Sequence, residues 1–278
     1  MNNEIRRAME QYANARPQIE QFMNQYDNEI GKHLDQIRKN ISEVLAPAMP
    51  GLTQIAEMAT AMVRDARPPN WSEDVGLDLA KLKQVTEVEG IPLVYVPRAE
   101  IVVALLGAAD FEGRLSILDD RYEDICSDCR TALKNPVDSQ VADRAQLVLN
   151  AIDAFEDGHY EAAQALAVVV TDSYLKTHVS GRYKEMRESL ALDESDEASL
   201  WPLLRFFMPM AAVVPFLVQW DPSDPNPAPT SLSRHVTIHD ASTAQLNRIN
   251  ATLAIMLAAS ITCALDAALH RYGRTTGI

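Results

Sequence analysis

The chain has 278 residues, 47% of them apolar, with 39 acidic against 25 basic side chains and a net charge of −14. That length supports one large domain or two modest ones around a sizeable core. The acidic balance excludes a general coat for nucleic acid, because a phosphate backbone is repelled, but it leaves room for a small basic site.

Glycine is scarce at 10 and alanine is abundant, which favours helix over strand. The 3 cysteines are an odd count and too few for a disulfide framework, so a reducing, cytoplasmic setting is expected. Cys126 and Cys129 form a C-x-x-C on a helical segment with no second pair. They read as two core residues rather than as a zinc or redox site. Met1 to Arg7 lacks an apolar signal core, and the apolar run Phe206–Trp220 is short and interrupted by Pro209 and Pro215. Neither secretion nor membrane insertion is expected.

In chain order, residues 1–67 form an N-terminal helical extension. Ile19, Phe22, Met23, Tyr26, Ile30, Leu34, Ile37, Ile41 and Leu45 recur at three- and four-residue steps, and a second short helix follows Pro50-Gly51. Residues 68–97 read as a proline-flanked linker. Its segment Ile91-Pro92-Leu93-Val94-Tyr95-Val96-Pro97 is apolar and bounded by proline, an extended edge or packed arm. Helices resume at Arg98 and continue to the end of the chain, residues 98–278 forming a bundle. Apolar faces run through Ile101 to Leu106, Leu115 to Leu133 and Val141 to Phe155. His159 to about Leu190 reads as one helix, alanine-dense at its start. The acidic side chains Asp119, Asp120, Glu123, Asp124 and Asp128 read as a solvated face. Asp193 to Glu197 reads as a charged connection, Trp201–Trp220 as a kinked apolar segment and Asp221–Pro229 as a loop. One final helix is expected from near Arg234 to about Arg271. Its seam from Ile249 to Leu265 holds no charge, which suits a core element, a subunit interface, or both.

The chemistry concentrates at Arg234-His235-Val236-Thr237-Ile238-His239. A guanidinium grips phosphate oxygens through paired donors, and an imidazole moves a proton near neutral pH. His235 and His239, four apart, share one helix face. Arg234 and His239 diverge by about 140° in a regular helix, and converge only if Arg234 lies in the turn before it. Ser231 or Ser233 is placed to cap that start, where free N–H groups favour an anion. His235 and His239 also have the spacing of a metal pair, with Asp240, His159 or His178 as a third ligand, but Val236 stands where an H-E-x-x-H site has its glutamate. His33 and His270 read as solvated.

The arginine, the polar His235 after it and His239 after a four-residue gap, all before a final apolar helix, resemble the HEPN (higher eukaryote and prokaryote nucleotide-binding) superfamily. The helix opening Gly158-His159-Tyr160-Glu161-Ala162-Ala163 resembles an inner helix of that family, and the resemblance spans residues 98–278. It implies an all-α helical bundle that dimerises with two motifs at the interface. It also implies metal-independent ribonuclease activity of the toxin or anti-phage kind, with no cofactor and with a protein antitoxin or regulator as partner. Arg234, His235 and His239 are then the catalytic residues: His239 transfers a proton, Arg234 stabilises phosphoryl charge, and His235 positions the phosphate or shares the transfer. All three are expected in a solvated groove. The substrate is RNA and not DNA, because the 2′-hydroxyl is the nucleophile and the product a 2′,3′-cyclic phosphate. The reading in another class is a non-catalytic helical dimerisation or protein-interaction module.

Overall fold

The structure is a computed structural model that describes residues 67–273, apart from 73–74, 76–77, 135–137, 180–181, 191–202, 224 and 241. The side chains of Leu79, Ser189, Leu203, Leu204 and residues 270–273 are also outside the description. The helices expected within residues 1–66, with His33, and the charged connection Asp193 to Glu197 therefore lie outside the described residues, as does the His270 side chain.

Local signals set the helix boundaries. α1 (Leu79–Lys83) starts at Asp78, whose carboxylate accepts from the Lys81 N–H, and passes into a π-helical turn, Gln84–Val88. α2 (Ala99–Gly107) and α3 (Phe111–Asp120) follow, the second capped by Asp110, which accepts from the Gly113 N–H. α4 is Tyr122–Leu133, and α5 (Ser139–Glu156) is capped by Asp138. Gly158, at φ +83, turns the chain into α6 (Tyr160–His178). α7 is Tyr183–Leu190. A second π-helical turn, Leu203–Phe207, leads into two short helices, α8 (Met208–Ala211) and α9 (Val213–Phe216). α10 (Arg234–His239) and α11 (Arg248–Gly273) complete the chain. About 70% of the described residues are helical and none is in a strand, so the fold is an all-α bundle.

α11 is the axis. It packs most extensively against α6, then α4 and α5, and α5 also lies along α6. Every residue from Asn250 to Thr262 is buried. The segment Arg248–Leu269 is long and apolar enough to cross a membrane, with an 18-residue stretch of mean hydropathy 1.9, yet 78% of that stretch is buried inside the molecule. The uncharged seam is thus consumed inside one molecule, and contact between copies would have to use other surfaces.

Three boundaries differ from the sequence expectation. The single helix expected from Arg234 to Arg271 is two. α10 stops at Asp240, the Ser242 carbonyl accepts from the Gln245 and Leu246 N–H groups in a tight turn, and the Asn247 side chain caps α11 through the Asn250 N–H at 2.9 Å. The helix expected from His159 to Leu190 ends at His178, with Val179 in extended backbone. A new start at α7 is marked by the Arg182 N–H donating to Glu185. Residues 68–97, expected as a linker, are part of the core. Trp71, Leu82, Val85, Leu93 and Val94 join one apolar cluster with α11. The apolar segment from Ile91 forms no ladder but is a packed arm, held where the Trp71 Nε1 donates to the Leu93 carbonyl and the Ser260 hydroxyl to that of Val94. Glu89 and Arg114 add a buried, bidentate ion pair that ties the first π turn to α3.

Candidate functional site

α10 sits across one stripe of α6. Gln164, Asp172 and Lys176, spaced by multiples of four, point to one side of that helix. Gln164 Nε2 donates to Thr237 Oγ1 at 3.0 Å and to Gln245 Oε1 at 2.7 Å, and the Thr237 hydroxyl donates to Gln245 Oε1. Gln245 Nε2 donates in turn to the Ser231 carbonyl, and Asn250 Nδ2 to the carbonyls of Thr230 and Gln245. This buried amide network pins both ends of α10 and the turn that follows it. Val236, fully buried, adds an apolar anchor, and Ser233 caps the start, its Oγ accepting from the Val236 N–H.

On this platform His235 and His239 stand together, ring centroids 4.9 Å apart and planes tilted by 56°. His239 is exposed and His235 half-buried. Burial of His235 pushes its pKa below the ordinary histidine value. His239 and Arg234 push the same way, and Asp221 opposes them. Its Nδ1 is buried and without a hydrogen-bond partner.

Arg234 does not share that face. It is the first residue of the helix proper, so it does not swing toward His239 as a residue in the preceding turn would. The expectation of a solvated groove fails for this residue: Arg234 is only 6% exposed. Its guanidinium carbon lies 3.9 Å from the centre of the Tyr183 ring on α7, and its Nε, hydrogen-bonded to nothing, stands 3.9 Å from Asp172 Oδ1. Asp172 accepts from the Tyr183 hydroxyl at 2.8 Å and pairs with Lys176 at 2.7 Å. Lys176 and Tyr183 also line a surface groove with Arg182, Lys184, Glu185 and Gln219. Neither Tyr183 nor Asp172 is marked by spacing or motif in the sequence. Gln164 is one polar residue within the alanine-rich start of α6, and nothing in its spacing marks it out.

Among the described residues no three histidine, cysteine, aspartate or glutamate side chains converge as metal ligands. His159 and His178, candidates to complete the histidine pair, lie at opposite ends of α6. His159 is exposed beside Gly158, while His178 is buried in a small apolar cavity with Phe206, Met210 and Ile261. Cys126 and Cys129 are buried core residues. Burial pushes the Cys126 thiol up to about 12 and raises that of Cys129 as well, which removes thiolate character. Three of the acidic side chains expected on a wet face are in ion pairs: Asp119 pairs with Arg248, Asp124 with Arg98 and Arg121, and Asp128 with Arg98. No family model, curated protein or solved structure matches the chain.

Proposed function

We propose that this protein is a metal-independent RNA endonuclease, of the kind that serves as a toxin or anti-phage effector. The observation that carries the proposal is the histidine pair. Two imidazoles stand 4.9 Å apart on a short helix locked from behind by buried amides, and an arginine occupies the adjoining face. Two proton-transferring groups side by side are what attack of a ribose 2′-hydroxyl on its own phosphodiester requires. His235, held neutral by burial, accepts the 2′-hydroxyl proton. The new O–P bond forms as the bond to the 5′-oxygen breaks, and His239, open to solvent, delivers a proton to that leaving oxygen. The products are a 2′,3′-cyclic phosphate and a 5′-hydroxyl. The positive charge of Arg234 opposes the charge that builds on the phosphoryl oxygens. RNA is the substrate and DNA, lacking the nucleophile, is not. The proposal includes a homodimer, a protein antitoxin or regulator, and a cytoplasmic setting without membrane attachment.

The test is cleavage of single-stranded RNA in excess chelator, with the ends analysed for cyclic phosphate. His239→Ala is expected to lose roughly 10²-fold or more of the rate by removing a proton-transfer group. Cleavage unchanged in His239→Ala would refute the assignment. One observation favours a second reading, a non-catalytic helical interaction module: Arg234 is packed against Tyr183 as a structural residue would be. On that reading no RNA is cut, and the loss in Arg234→Ala is one of stability alone.

A further inference from the structure

The contacts of Arg234 are unlike those of the other paired arginines. Arg98, Arg114, Arg121, Arg130 and Arg248 each donate to a carboxylate. Arg234 does not. Among the described residues, the carboxylate paired with it is Asp172, whose Oδ2 is engaged by Lys176 at 2.7 Å and Oδ1 by the Tyr183 hydroxyl at 2.8 Å. The Arg234 Nε stands 3.9 Å off, beyond hydrogen-bond length. What holds the guanidinium is the face of Tyr183, 3.9 Å away. A carboxylate would fix the group and cancel its charge. An aromatic face fixes the plane of the guanidinium and leaves the charge and the in-plane N–H donors for another anion. The Nε–H, buried and unpaired, is not spent on a carboxylate.

We infer that Tyr183, anchored through its hydroxyl to Asp172, is a positioning residue that presents the Arg234 guanidinium, un-neutralised, to a phosphate of the substrate. The inference rests on the endonuclease reading. Lys176 completes the device by balancing Asp172, so that the carboxylate anchors the tyrosine without capturing the arginine. α7, which carries Tyr183, is fixed by buried Met186 and Leu190 and packs on α9. The ring is therefore set in place before any substrate arrives.

The experiment compares kcat and KM on one cleavable single-stranded RNA for the full chain and its variants. Tyr183→Leu, with no π face, is expected to lower kcat roughly 10- to 30-fold, the scale of a desolvated cation–π contact, with KM little changed. Tyr183→Phe keeps the face but frees Asp172 Oδ1, and its rate is expected to fall between those of the wild type and Tyr183→Leu. In an Arg234→Ala background Tyr183→Leu should cost nothing more, because the group it positions is gone. General destabilisation would instead add to the Arg234→Ala loss. Should Tyr183→Leu not fold, Tyr183→Met fills similar space without a ring and carries the same expectation. A kcat that is unchanged in both variants, or losses that multiply in the double variant, overturns the positioning role. A wild-type protein that cuts no RNA overturns the endonuclease reading and this inference with it. One that cuts as fast as its Tyr183 variants overturns this inference alone.

Discussion

Arg234 and His239 differ in what their removal costs the folded molecule, although both read as solvated site residues from the sequence. His239 is exposed with only His235 as a ring neighbour, so His239→Ala is expected to shift stability by less than about 0.5 kcal/mol. Arg234→Ala strips the guanidinium from the Tyr183 face and removes the second cation beside Asp172, which keeps Lys176, at a cost of about 1–3 kcal/mol. Urea denaturation of the two variants measures the difference, and equal midpoints would contradict the packing of Arg234. A second residue carries a pH dependence. His178 is buried among Leu175, Val179, Phe206 and Ile261, its Nε2 bonds to nothing, and burial pulls its pKa down to about 4. Between the ordinary value of 6.5 and 4 the unfolded chain binds a proton that the folded chain refuses. Stability from this group is thus full above 6.5 and falls as the pH drops toward 4. The loss between pH 7 and pH 5 is about 2 kcal/mol. His178→Leu, which suits the apolar surroundings, should flatten that slope. A wild type and a His178→Leu variant with the same loss between pH 7 and pH 5 would show that other groups set the acid response.

α10 is six residues long, too short to hold itself, and the amide network does that work. Gln164→Leu keeps the volume but removes the donor to Thr237 and Gln245 and the acceptor for the Asn247 N–H at 3.4 Å. Buried partners left unpaired cost about 1–3 kcal/mol, and the helix bearing the histidine pair should loosen. Hydrogen exchange at the Val236 to His239 amides is expected to rise in this variant more than exchange in α4, which packs elsewhere on α11. Unchanged protection of α10 would place its stability in Val236 alone. The same residues explain what was legible in the sequence. The helical class followed from apolar residues at three- and four-residue steps, and the start of α10 from a capping serine at 231 or 233. The break at 240–247 was not legible, because Gln245, Asn247 and Asn250 look like ordinary polar residues until their partners, Ser231 and Thr230 upstream and Gln164 on α6, are in place. Residues 68–97 escaped for the opposite reason. Their prolines signal an irregular backbone, and irregular does not mean exposed: Ile91, Leu93, Val94 and Val96 are fully buried without a strand ladder. The site was legible as a residue set and not as a geometry. The histidine pair follows from spacing, whereas the position of Arg234 depends on Tyr183 and Asp172, which come from two other helices.

At the scale of the whole molecule, the divergence of Arg234 from the histidine pair bears on oligomeric state. One chain offers two imidazoles on one face of α10 and a guanidinium on another, and the uncharged central seam is filled by the chain's own helices. Among the described residues, the outer faces that a second copy could use carry Val169 on α6 and Ile238 on α10 as exposed apolar side chains. With a charge of −14 on each copy, association works against mutual repulsion that salt screens. The proposed homodimer is expected at micromolar concentration and, because of that repulsion, tighter at about 0.5 M than at about 0.05 M salt; sedimentation at the two ionic strengths checks both statements. If the catalytic groove is composite, Arg234 of one copy serves the histidines of the other. Mixing Arg234→Ala with His239→Ala protein should then restore part of the cleavage that each lacks alone, because half of each mixed dimer's motif pairs remain whole. If each chain works by itself, mixing restores nothing, and the guanidinium must reach the phosphate from its place on Tyr183. A monomer throughout that range would rule out the composite groove and leave the single-chain arrangement as the working site.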